Sequence, residues 1–320
     1  MNYSDIHTDI GTWYERCGRH DLPWRKTDDP YLIYISEMML QQTQVKTVLE
    51  RFYFPFLDRF PTLKSIAEAT LDDVLHAWQG LGYYRRARYI HETARIAAPR
   101  LPTDPGELVR LPGIGKSTAH AIAAFSVHAP VPILDANVRR ILYRFFARKK
   151  ATEKELWQLA ETFLDRENPY TYNQAMMDIG ATVCLPKNPD CDTCPLERKC
   201  LGRSTPQDYP APKRAKNRPV KRRCYLLVEN GSKILMRKRK GDLLGGLWEL
   251  PSTETAPEEG EKLFEIVHDY THFRRIAELY RYRCKKNPEG EWIDVKELHS
   301  IATSSLEKKI FARLQKLTLL

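Results

Sequence analysis

The stretch LPGIGKSTAHAI, residues 111–122, decides the fold of the N-terminal part of the chain. Its letters GKST match the end of a phosphate-binding P-loop, which requires G-x-x-x-x-G-K-[ST] directly after a strand. Arg110 occupies the position of the first glycine, and the preceding segment ELVRL is typical of a helix end. The pattern therefore excludes a P-loop and predicts two helices joined by a Leu-Pro-Gly-Ile-Gly turn.

This pair of helices has the features of a phosphate-binding unit. Gly113 and Gly115 are able to adopt positive φ, and their small size lets backbone N–H groups approach an external phosphate. The second helix presents the positive end of its dipole, and Lys116 adds a charge. Such a unit holds a nucleic-acid backbone without reading its sequence, and a plain connection between helices is the alternative.

The overall composition is that of a folded, basic protein. The chain has 320 residues, 42% of them hydrophobic, and its 51 Lys and Arg against 41 Asp and Glu give a net charge of +10. This length predicts two or three domains, and the basic surplus favours a polyanionic partner. Residues 1–25 carry early charges and no long apolar run, which indicates neither a signal peptide nor a membrane anchor. A cytoplasmic location with reduced cysteines is expected.

Helical patterns fill residues 1–202. Asp29 is a capping residue, Pro30 suits the first helical position, and the helix is expected to continue without a break through YLIYISEMMLQQTQV. Thr70 and Asp73 form a capping-box pattern ahead of VLHAWQGL. These signals predict a bundle of helices separated by glycines and prolines.

The composition changes at residue 203. Residues 203–223 are rich in proline and basic residues, which predicts an extended linker that either follows a phosphate backbone or is a passive tether. Beyond it, CYLLVEN and KILMRKRK flank an Asn-Gly turn and predict a hairpin. Two further strands (ELYRYRCK, EWIDV) and a helix (SLEKKIFARLQKL) predict a small α+β domain over residues 224–320.

Four cysteines share a short, proline-containing loop with the spacing C-x6-C-x2-C-x5-C. They are Cys184, Cys191, Cys194 and Cys200. A loop with so little apolar material needs cross-links, and in a reducing compartment a metal centre supplies them. Four thiolates suit either zinc or an iron–sulfur cluster.

Several motifs resemble those of one enzyme superfamily. LPGIGKSTA, PILDANVRR and the cysteine spacing are similar to those of the helix-hairpin-helix DNA glycosylases with an iron–sulfur loop, the endonuclease III superfamily. Within it, LPWRKTDDPYLIYISEMMLQQTQV, GLGYYRRAR and YNQAMMDIGATVC resemble the adenine DNA glycosylase (MutY) family over residues 20–201. GDLLGGLWELP is similar to the Nudix-like C-terminal domain of that family, which recognises 8-oxoguanine.

The resemblance implies a mainly α catalytic region followed by a small α+β Nudix-like domain at residues 224–320. The catalytic region would combine a six-helix barrel module, about residues 23–131, with an iron–sulfur module formed by residues 1–22 and 132–202. A [4Fe-4S] cluster on the four cysteines and a monomer in the bacterial nucleoid are also implied. The substrate would be double-stranded DNA, from which adenine opposite 8-oxoguanine or guanine is flipped out and excised.

Two carboxyls in unlike environments can cleave an N-glycosidic bond. A protonated one donates its proton to the leaving base, and an ionised one stabilises the cationic sugar. Glu37 lies in a helix that is apolar on nearly every face, and the resemblance makes it the acid for adenine N7. Asp135 at a helix start is expected to stay ionised; it is either a plain helix cap or, by the resemblance, the group that stabilises the sugar cation. Asn137 matches the residue that arranges water and the Asp135 carboxylate.

Ser117 stands where endonuclease III relatives carry a lysine that attacks the sugar. A hydroxyl cannot form a Schiff base, which predicts a monofunctional glycosylase with weak or no strand cleavage. Ser117 is expected to hydrogen-bond near Asp135. Lys116, on another face of the helix, is expected to bind phosphate.

Other positions match residues that contact DNA or adenine in the family. Gln42, Leu81 and Tyr83 would wedge into the duplex, although a buried turn is an alternative for the last two. Trp24 and Arg25 would line the adenine pocket, and Trp24 also suits an ordinary core position.

Three features depart from the family pattern. Ala136 replaces the glycine of LDGN, where its methyl group would either crowd the flipped sugar or be harmless. The recognition loop Phe-Ser-His is Tyr270-Thr271-His272, which keeps a ring, a hydroxyl and an imidazole, so 8-oxoguanine recognition is expected to be retained. GGLWELPSTETAPEEG lacks the arginine and paired glutamates of a Nudix box, so pyrophosphatase activity is not expected.

Three other functions are compatible with these residues. One is an endonuclease III-like pyrimidine glycosylase with lyase activity, and another is a non-catalytic DNA-binding iron–sulfur protein. A zinc-ribbon binding module is the third, and it would be colourless, whereas an iron–sulfur protein is brown.

Overall fold

The structure is a computed structural model that describes residues 3–212, 217–241, 244–283 and 289–317. The described residues form two compact units. The first unit comprises residues 1–42 and 96–214, and the second comprises 43–95 and 215–320. In the described part of the chain, no helix has the length and apolar character needed to cross a membrane.

Helices dominate the chain up to residue 182. They are α1 (Ser4–Cys17), α2 (Pro30–Leu40), α3 (Val45–Arg51), α4 (Tyr53–Arg59), α5 (Leu63–Glu68), α6 (Leu71–Ala77), α7 (Arg85–Ala97), α8 (Pro105–Leu108), α9 (Lys116–Ser126), α10 (Ala136–Phe145), α11 (Glu153–Phe163) and α12 (Pro169–Thr182). Short 3-10 turns lie at Pro23–Arg25, Glu197–Lys199 and Pro206–Asp208.

The predicted helix starts are confirmed. The Asp29 side chain accepts a hydrogen bond from the N–H of Tyr31 at 2.8 Å, with Pro30 as the first residue of α2. Thr70 and Asp73 form a reciprocal capping box at α6. The prediction that α2 continues without a break through Val45 is wrong: α2 ends at Leu40, and a new helix begins at Val45.

Two helix packings fix the position of the first unit's polar residues. Helix α9 lies against α2, and all of its residues from Ala119 to Ser126 are buried. Helices α1, α10, α11 and α12 bury a shared apolar cluster that includes Ile6, Leu142, Phe163 and Ile179. As a result, the start of α10 and the middle of α12 meet inside one packed core.

The second unit contains the strands. They are β1 (Val220–Leu227), β2 (Glu229–Asn230), β3 (Lys233–Lys238), β4 (Trp248–Glu249), β5 (Ser252–Thr253), β6 (Gly260–Asp269), β7 (Arg274–Tyr282) and β8 (Glu291–Asp294), followed by α13 (Ser305–Lys316). One sheet has the order β5-β1-β7-β6, with β1 parallel to β7. In the other, β3 pairs with β2, β4 and β8.

The predicted hairpin is confirmed only next to its turn, where Glu229 and Asn230 pair with β3 and Gly231 has φ +60°. The rest of the predicted first strand is wrong as a partner of β3, because β1 pairs with β5 and β7. Strand β1 begins at Val220, within the segment predicted as linker. Linker residues 213–216 lie outside the described residues, as does the end of the predicted strand ELYRYRCK from Cys284 onward.

Candidate active site

Glu37 is a half-buried residue on α2 in an otherwise buried stretch of that helix, with its carboxyl group turned away from water. Burial, and to a smaller extent the negative charge of Asp135, raise the pKa of Glu37 to about 7 against the Arg25 guanidinium, which lowers it. No hydrogen bond to the Glu37 carboxyl occurs within the described residues. A large fraction of Glu37 is therefore protonated at neutral pH, as the apolar helix predicted.

Asp135 caps the start of α10. Its carboxylate accepts a hydrogen bond from the N–H of Val138 at 2.7 Å and from the side-chain amide of Asn137 at 3.3 Å. Burial raises the pKa of Asp135, while these bonds and the charge of Arg140 lower it, and the net shift is upward. The expectation that the helix start alone keeps this carboxyl ionised is therefore too simple, because desolvation opposes the cap.

The contacts of the two carboxyls nevertheless differ. Asp135 has hydrogen bonds and a nearby guanidinium that favour its anion. Burial and the negative charge of Asp135 disfavour ionisation of Glu37, whereas the positive charge of Arg25 favours it. These surroundings favour the anion of Asp135 more than that of Glu37.

A chain of hydrogen bonds joins Asp135 to the cysteine loop. Arg140 donates to the side-chain oxygen of Asn137 at 3.0 Å and to the carbonyl of Cys184 at 2.7 Å. Gly180 on α12 allows this arrangement, because a Cβ atom there would lie 2.5 Å from Cβ of Asn137. Sequence reasoning missed Arg140 and Gly180. The one available signal for Arg140 is its spacing of three residues from Asn137 on the same helix.

Arg25 and Trp24 are predicted to line the adenine pocket; Trp24 is buried, and Arg25 is half-buried with a side chain that is only 4% exposed. The Arg25 guanidinium makes two parallel bonds to Asp178, at 2.7 and 2.8 Å, and Arg19 binds the same carboxylate. Burial disfavours the Asp178 anion, but the arginines outweigh it and hold the pKa of Asp178 below its ordinary value. Asp178 was also missed. An aspartate among the apolar residues of AMMDIGA is the signal that could have found it.

The Leu-Pro-Gly-Ile-Gly turn joins α8 to α9 as predicted. Gly113 has φ +74°, whereas Gly115 caps α9 in an extended conformation, with φ −80° and open space where a Cβ would lie. Positive φ is thus required at Gly113 alone. Lys116 is exposed, and its ammonium lies 4.0 Å from the centre of the Trp157 ring.

Ser117 lies in the first turn of α9 and is half-buried. Its expected hydrogen bond near Asp135 is not found among the described residues. Ala136, which replaces a family glycine, is the exposed first residue of α10 and has helical backbone. That position therefore does not require glycine.

The three predicted wedge residues differ in exposure. Gln42 is exposed and has φ +58°, and Tyr83 is 42% exposed with φ +49°. Leu81 is only 7% exposed, which matches the buried-turn alternative rather than a side chain that enters a duplex. Gln42 belongs to the first unit, and Leu81 and Tyr83 belong to the second.

The segment Tyr270-Thr271-His272 links β6 to β7 in the second unit. Thr271 and His272 are exposed, whereas Tyr270 is partly buried and stacks on Phe273 at 4.7 Å. The hydroxyls of Thr271 and Tyr83 lie 3.1 Å apart. The structure thus brings the recognition loop into contact with one predicted wedge residue.

The four cysteines line one cavity beside α10. Burial, together with the neighbouring thiols, raises the pKa of Cys194 to about 12. Within the described residues, no three His, Cys, Asp or Glu side chains are arranged to hold a single metal ion. A four-iron cluster places one thiolate on each iron, so four thiols around one cavity suit it better than they suit one zinc ion.

Comparison with known proteins assigns the chain. Residues 35–165 match the HhH-GPD superfamily base excision DNA repair proteins, and residues 224–313 match the NUDIX domain. An adenine DNA glycosylase of Buchnera aphidicola subsp. Schizaphis graminum is 34% identical over 334 residues, which cover 94% of this chain and 96% of that protein. This chain belongs to the adenine DNA glycosylase family. The family's Homo sapiens member is 30% identical, over 94% of this chain and 72% of its own length.

Solved structures share the helical fold of this chain. A thermostable thymine-DNA glycosylase is 27% identical with a TM-score of 0.58, covering 63% of this chain and 97% of its own. Endonuclease III in a non-covalent DNA complex has a TM-score of 0.54 at 19% identity, covering 64% of this chain and 97% of its own, and this likeness concerns the fold alone. The predicted helical glycosylase fold with a Nudix-like C-terminal domain is confirmed.

Proposed function

We propose that the chain is a monofunctional glycosylase that removes adenine paired with 8-oxoguanine or guanine in double-stranded DNA. The observation that carries the proposal is the pair of interacting carboxyls, Glu37 and Asp135, in a chain of this family. The names of the relatives supply the adenine. The Tyr270-Thr271-His272 loop supports 8-oxoguanine as the opposite base.

The chemistry divides between the two carboxyls. Glu37, protonated because of its burial, donates its proton to N7 of the flipped adenine and makes the base a neutral leaving group. Asp135, held by Val138 and Asn137, stabilises the positive charge that develops on the sugar. Asn137 also orients water for attack, and ionised Glu37 then accepts a proton from that water.

Ser117 supports hydrolysis without strand cleavage. Its hydroxyl cannot form a Schiff base, and Lys116 on the neighbouring position has its ammonium over Trp157. We therefore propose that Lys116, Gly113 and Gly115 bind a phosphate of the DNA backbone, and that Lys116 does not attack the sugar carbon. Gln42 and Tyr83, which are both exposed, each insert into the DNA duplex. Trp24 and Arg25 form the wall of the adenine pocket.

The cysteines would hold a [4Fe-4S] cluster. Each of Cys184, Cys191, Cys194 and Cys200 would bind one iron, and the cluster would supply the cross-links that the loop lacks. Arg144 donates to Sγ of Cys184 at 3.3 Å and to the carbonyl of Leu185 at 2.7 Å, and so orders the first ligand. We retain the functional division into a six-helix module, an iron–sulfur module and a Nudix-like domain as part of this proposal.

One experiment tests the proposal against its rivals. The purified protein is incubated with duplexes carrying adenine opposite each normal base and opposite 8-oxoguanine, and base release and strand breakage are followed separately. We expect adenine release opposite 8-oxoguanine and guanine, without strand breakage or borohydride trapping. Release of a damaged pyrimidine with efficient trapping would favour the lyase, and DNA binding without base release would favour the non-catalytic protein.

A further inference from the structure

We propose that Trp157 on α11 is a positioning residue for DNA binding, because its ring holds the Lys116 ammonium ready for a backbone phosphate. This inference rests on the proposed function, in which Lys116 binds a phosphate of the DNA. The ammonium lies 4.0 Å from the centre of the Trp157 ring. A cation over the face of a tryptophan is attracted by the ring itself, so the N–H donors that point away from the ring stay available to a phosphate.

Two side chains of α9 contact the Trp157 ring. Lys116 and His120 are four residues apart, which places them on one face of that helix. The imidazole of His120 lies 5.2 Å from the ring, with an angle of 64° between the two planes, and its Nδ1 lies 2.8 Å from the carbonyl oxygen of Pro132. Burial lowers the pKa of His120, so the imidazole is largely neutral at neutral pH and adds little positive charge beside Lys116.

The opposite side of the ring is held through Glu153, at the start of α11. The indole Nε1–H of Trp157 donates to the Glu153 carboxylate at 3.0 Å. Both oxygens of that carboxylate also accept from the Arg139 guanidinium on α10, one of them at 2.6 Å. Contacts with α9, α10 and α11 therefore set the orientation of the ring together.

The ring fixes Lys116 without neutralising its charge. Lys116 is exposed, and it forms no ion pair in the part of the chain that the structure describes. The carboxylate of this cluster, Glu153, binds Arg139 instead. The positive charge of Lys116 is thus left for an anion from outside the protein.

Contact with Trp157 reduces the entropy that Lys116 loses when it binds a phosphate. Lys116 is the first residue of α9 and follows directly on the Leu-Pro-Gly-Ile-Gly turn. The backbone N–H groups at this helix start are already fixed by the helix, whereas a lysine side chain without contacts is flexible. A side chain that lies on an aromatic ring before DNA arrives has lost part of that freedom in advance, and such preorganisation increases affinity.

The test measures DNA binding by the full chain. Trp157→Leu removes the aromatic ring and keeps an apolar side chain, Lys116→Met removes the ammonium, and a third variant combines the two changes. Fluorescence anisotropy of a labelled duplex with normal base pairs gives the Kd of each protein at several salt concentrations. We expect Lys116→Met to weaken binding about 5- to 20-fold and to lower the salt dependence by about one phosphate contact. We expect Trp157→Leu to weaken binding about 2- to 5-fold.

The combined variant distinguishes positioning from a structural role. In the Lys116→Met protein, Trp157→Leu should weaken binding no further, because no ammonium is left to position. An equal loss with and without Lys116 would overturn the inference, since a distorted fold weakens binding in both cases. Unchanged binding in Trp157→Leu or in Lys116→Met would overturn it as well.

Two further variants control for the loss of a tryptophan. Trp157→Phe keeps a ring with a weaker attraction for cations, so it should weaken binding less than Trp157→Leu does. A loss as large as that of Trp157→Leu would show that the ring contributes nothing through Lys116. Trp292→Leu removes another half-buried tryptophan, on β8 in the second unit, and should leave the Kd unchanged. An equal rise in Kd for Trp292→Leu and Trp157→Leu would overturn the assignment.

Adenine release is measured separately with the same proteins. A wild-type protein that binds the duplex but releases no adenine would overturn the proposed glycosylase activity. The binding data would in that case still decide the role of Trp157.

Discussion

The charge of Asp135 raises the pKa of Glu37, a carboxyl whose pKa is already raised by burial. The two residues come from different helices of one unit, α2 and the start of α10. In the proposed mechanism, Asp135, which stabilises the sugar cation, thus also helps to keep Glu37 protonated. This electrostatic coupling is the basis of the account, and it has consequences for stability as well as for catalysis.

The first prediction concerns stability against pH. The folded protein holds the Glu37 proton more tightly than the unfolded chain, with a pKa of about 7 against 4.5. Below pH 4.5 Glu37 is protonated in both states, so its raised pKa costs almost no unfolding free energy. Between pH 4.5 and about 7 the cost grows, because Glu37 ionises in the unfolded chain but stays protonated in the folded protein. Relative to wild type, Glu37→Gln should gain about 2–3 kcal/mol of unfolding free energy between pH 4.5 and pH 8. Urea unfolding at both pH values measures this gain.

Glu92→Gln is the control for that experiment, because Glu92 is an exposed glutamate on α7. A substitution at this exposed position should change the unfolding free energy by less than about 0.5 kcal/mol at either pH. The same difference from wild type at both pH values for Glu37→Gln would mean that the carboxyl is not buried in the folded protein.

The second prediction separates the charge of Asp135 from its role as a cap. Asparagine caps a helix about as well as aspartate, so Asp135→Asn should leave stability nearly unchanged. It should lower single-turnover adenine release by about 100- to 1,000-fold, because the developing positive charge loses its partner. The matched variant is Asp104→Asn at the start of α8, whose side chain also accepts from a backbone N–H. Equal rates of adenine release in the Asp135→Asn and Asp104→Asn variants would mean that Asp135 acts only as a helix cap.

A third prediction concerns the contact between α10 and α12. A methyl group at Gly180 would lie 2.5 Å from Cβ and 3.2 Å from Cα of Asn137. Gly180→Ala should therefore move Asn137 and cost about 1–3 kcal/mol of stability, with a fall in adenine release. Gly11→Ala, where nothing lies within 4 Å of the added carbon in α1, should instead gain roughly 0.5–1 kcal/mol. Thermal unfolding of both variants checks the contrast.

The fourth prediction concerns the cysteine loop. Cys191→Ser should remove the brown colour of the iron–sulfur protein and leave the loop without its cross-links. Trypsin should then cut at Lys187, Arg198 or Lys199, which lie within the loop. Cys17→Ser, at an exposed cysteine outside the group, should keep both the colour and the resistance to trypsin. A colourless wild-type protein that contains zinc would contradict the cluster.

Local signals were enough to predict several elements. Asp29-Pro30 and the Thr70–Asp73 pair fixed helix starts because capping depends on residues within one turn. The break after Leu40 was missed because YLIYISEMMLQQTQV contains neither glycine nor proline. Gln42 there adopts φ +58°, a conformation that sequence rarely signals for glutamine.

Residues of the candidate site were predictable only where they lie in a recognisable sequence motif. Glu37 and Asp135 lie in stretches that resemble the family, and the structure adds the interaction between them. Asp178 was missed because its partner Arg25 is distant in sequence. The contact between Thr303 and Gln79 was missed for the same reason, since it joins α13 to a turn between α6 and α7. Such pairings follow from tertiary packing, which one sequence without relatives does not reveal.

The most direct test of the central claim is the pH dependence of single-turnover adenine release from a duplex carrying adenine opposite 8-oxoguanine. With Glu37 as the proton donor, the wild-type rate should fall as pH rises through about 7, because the donor loses its proton. Glu37→Gln should be slow at every pH and should not show this fall. A wild-type rate that falls at the same pH in Glu37→Gln, or a variant as fast as wild type, would show that another group supplies the proton.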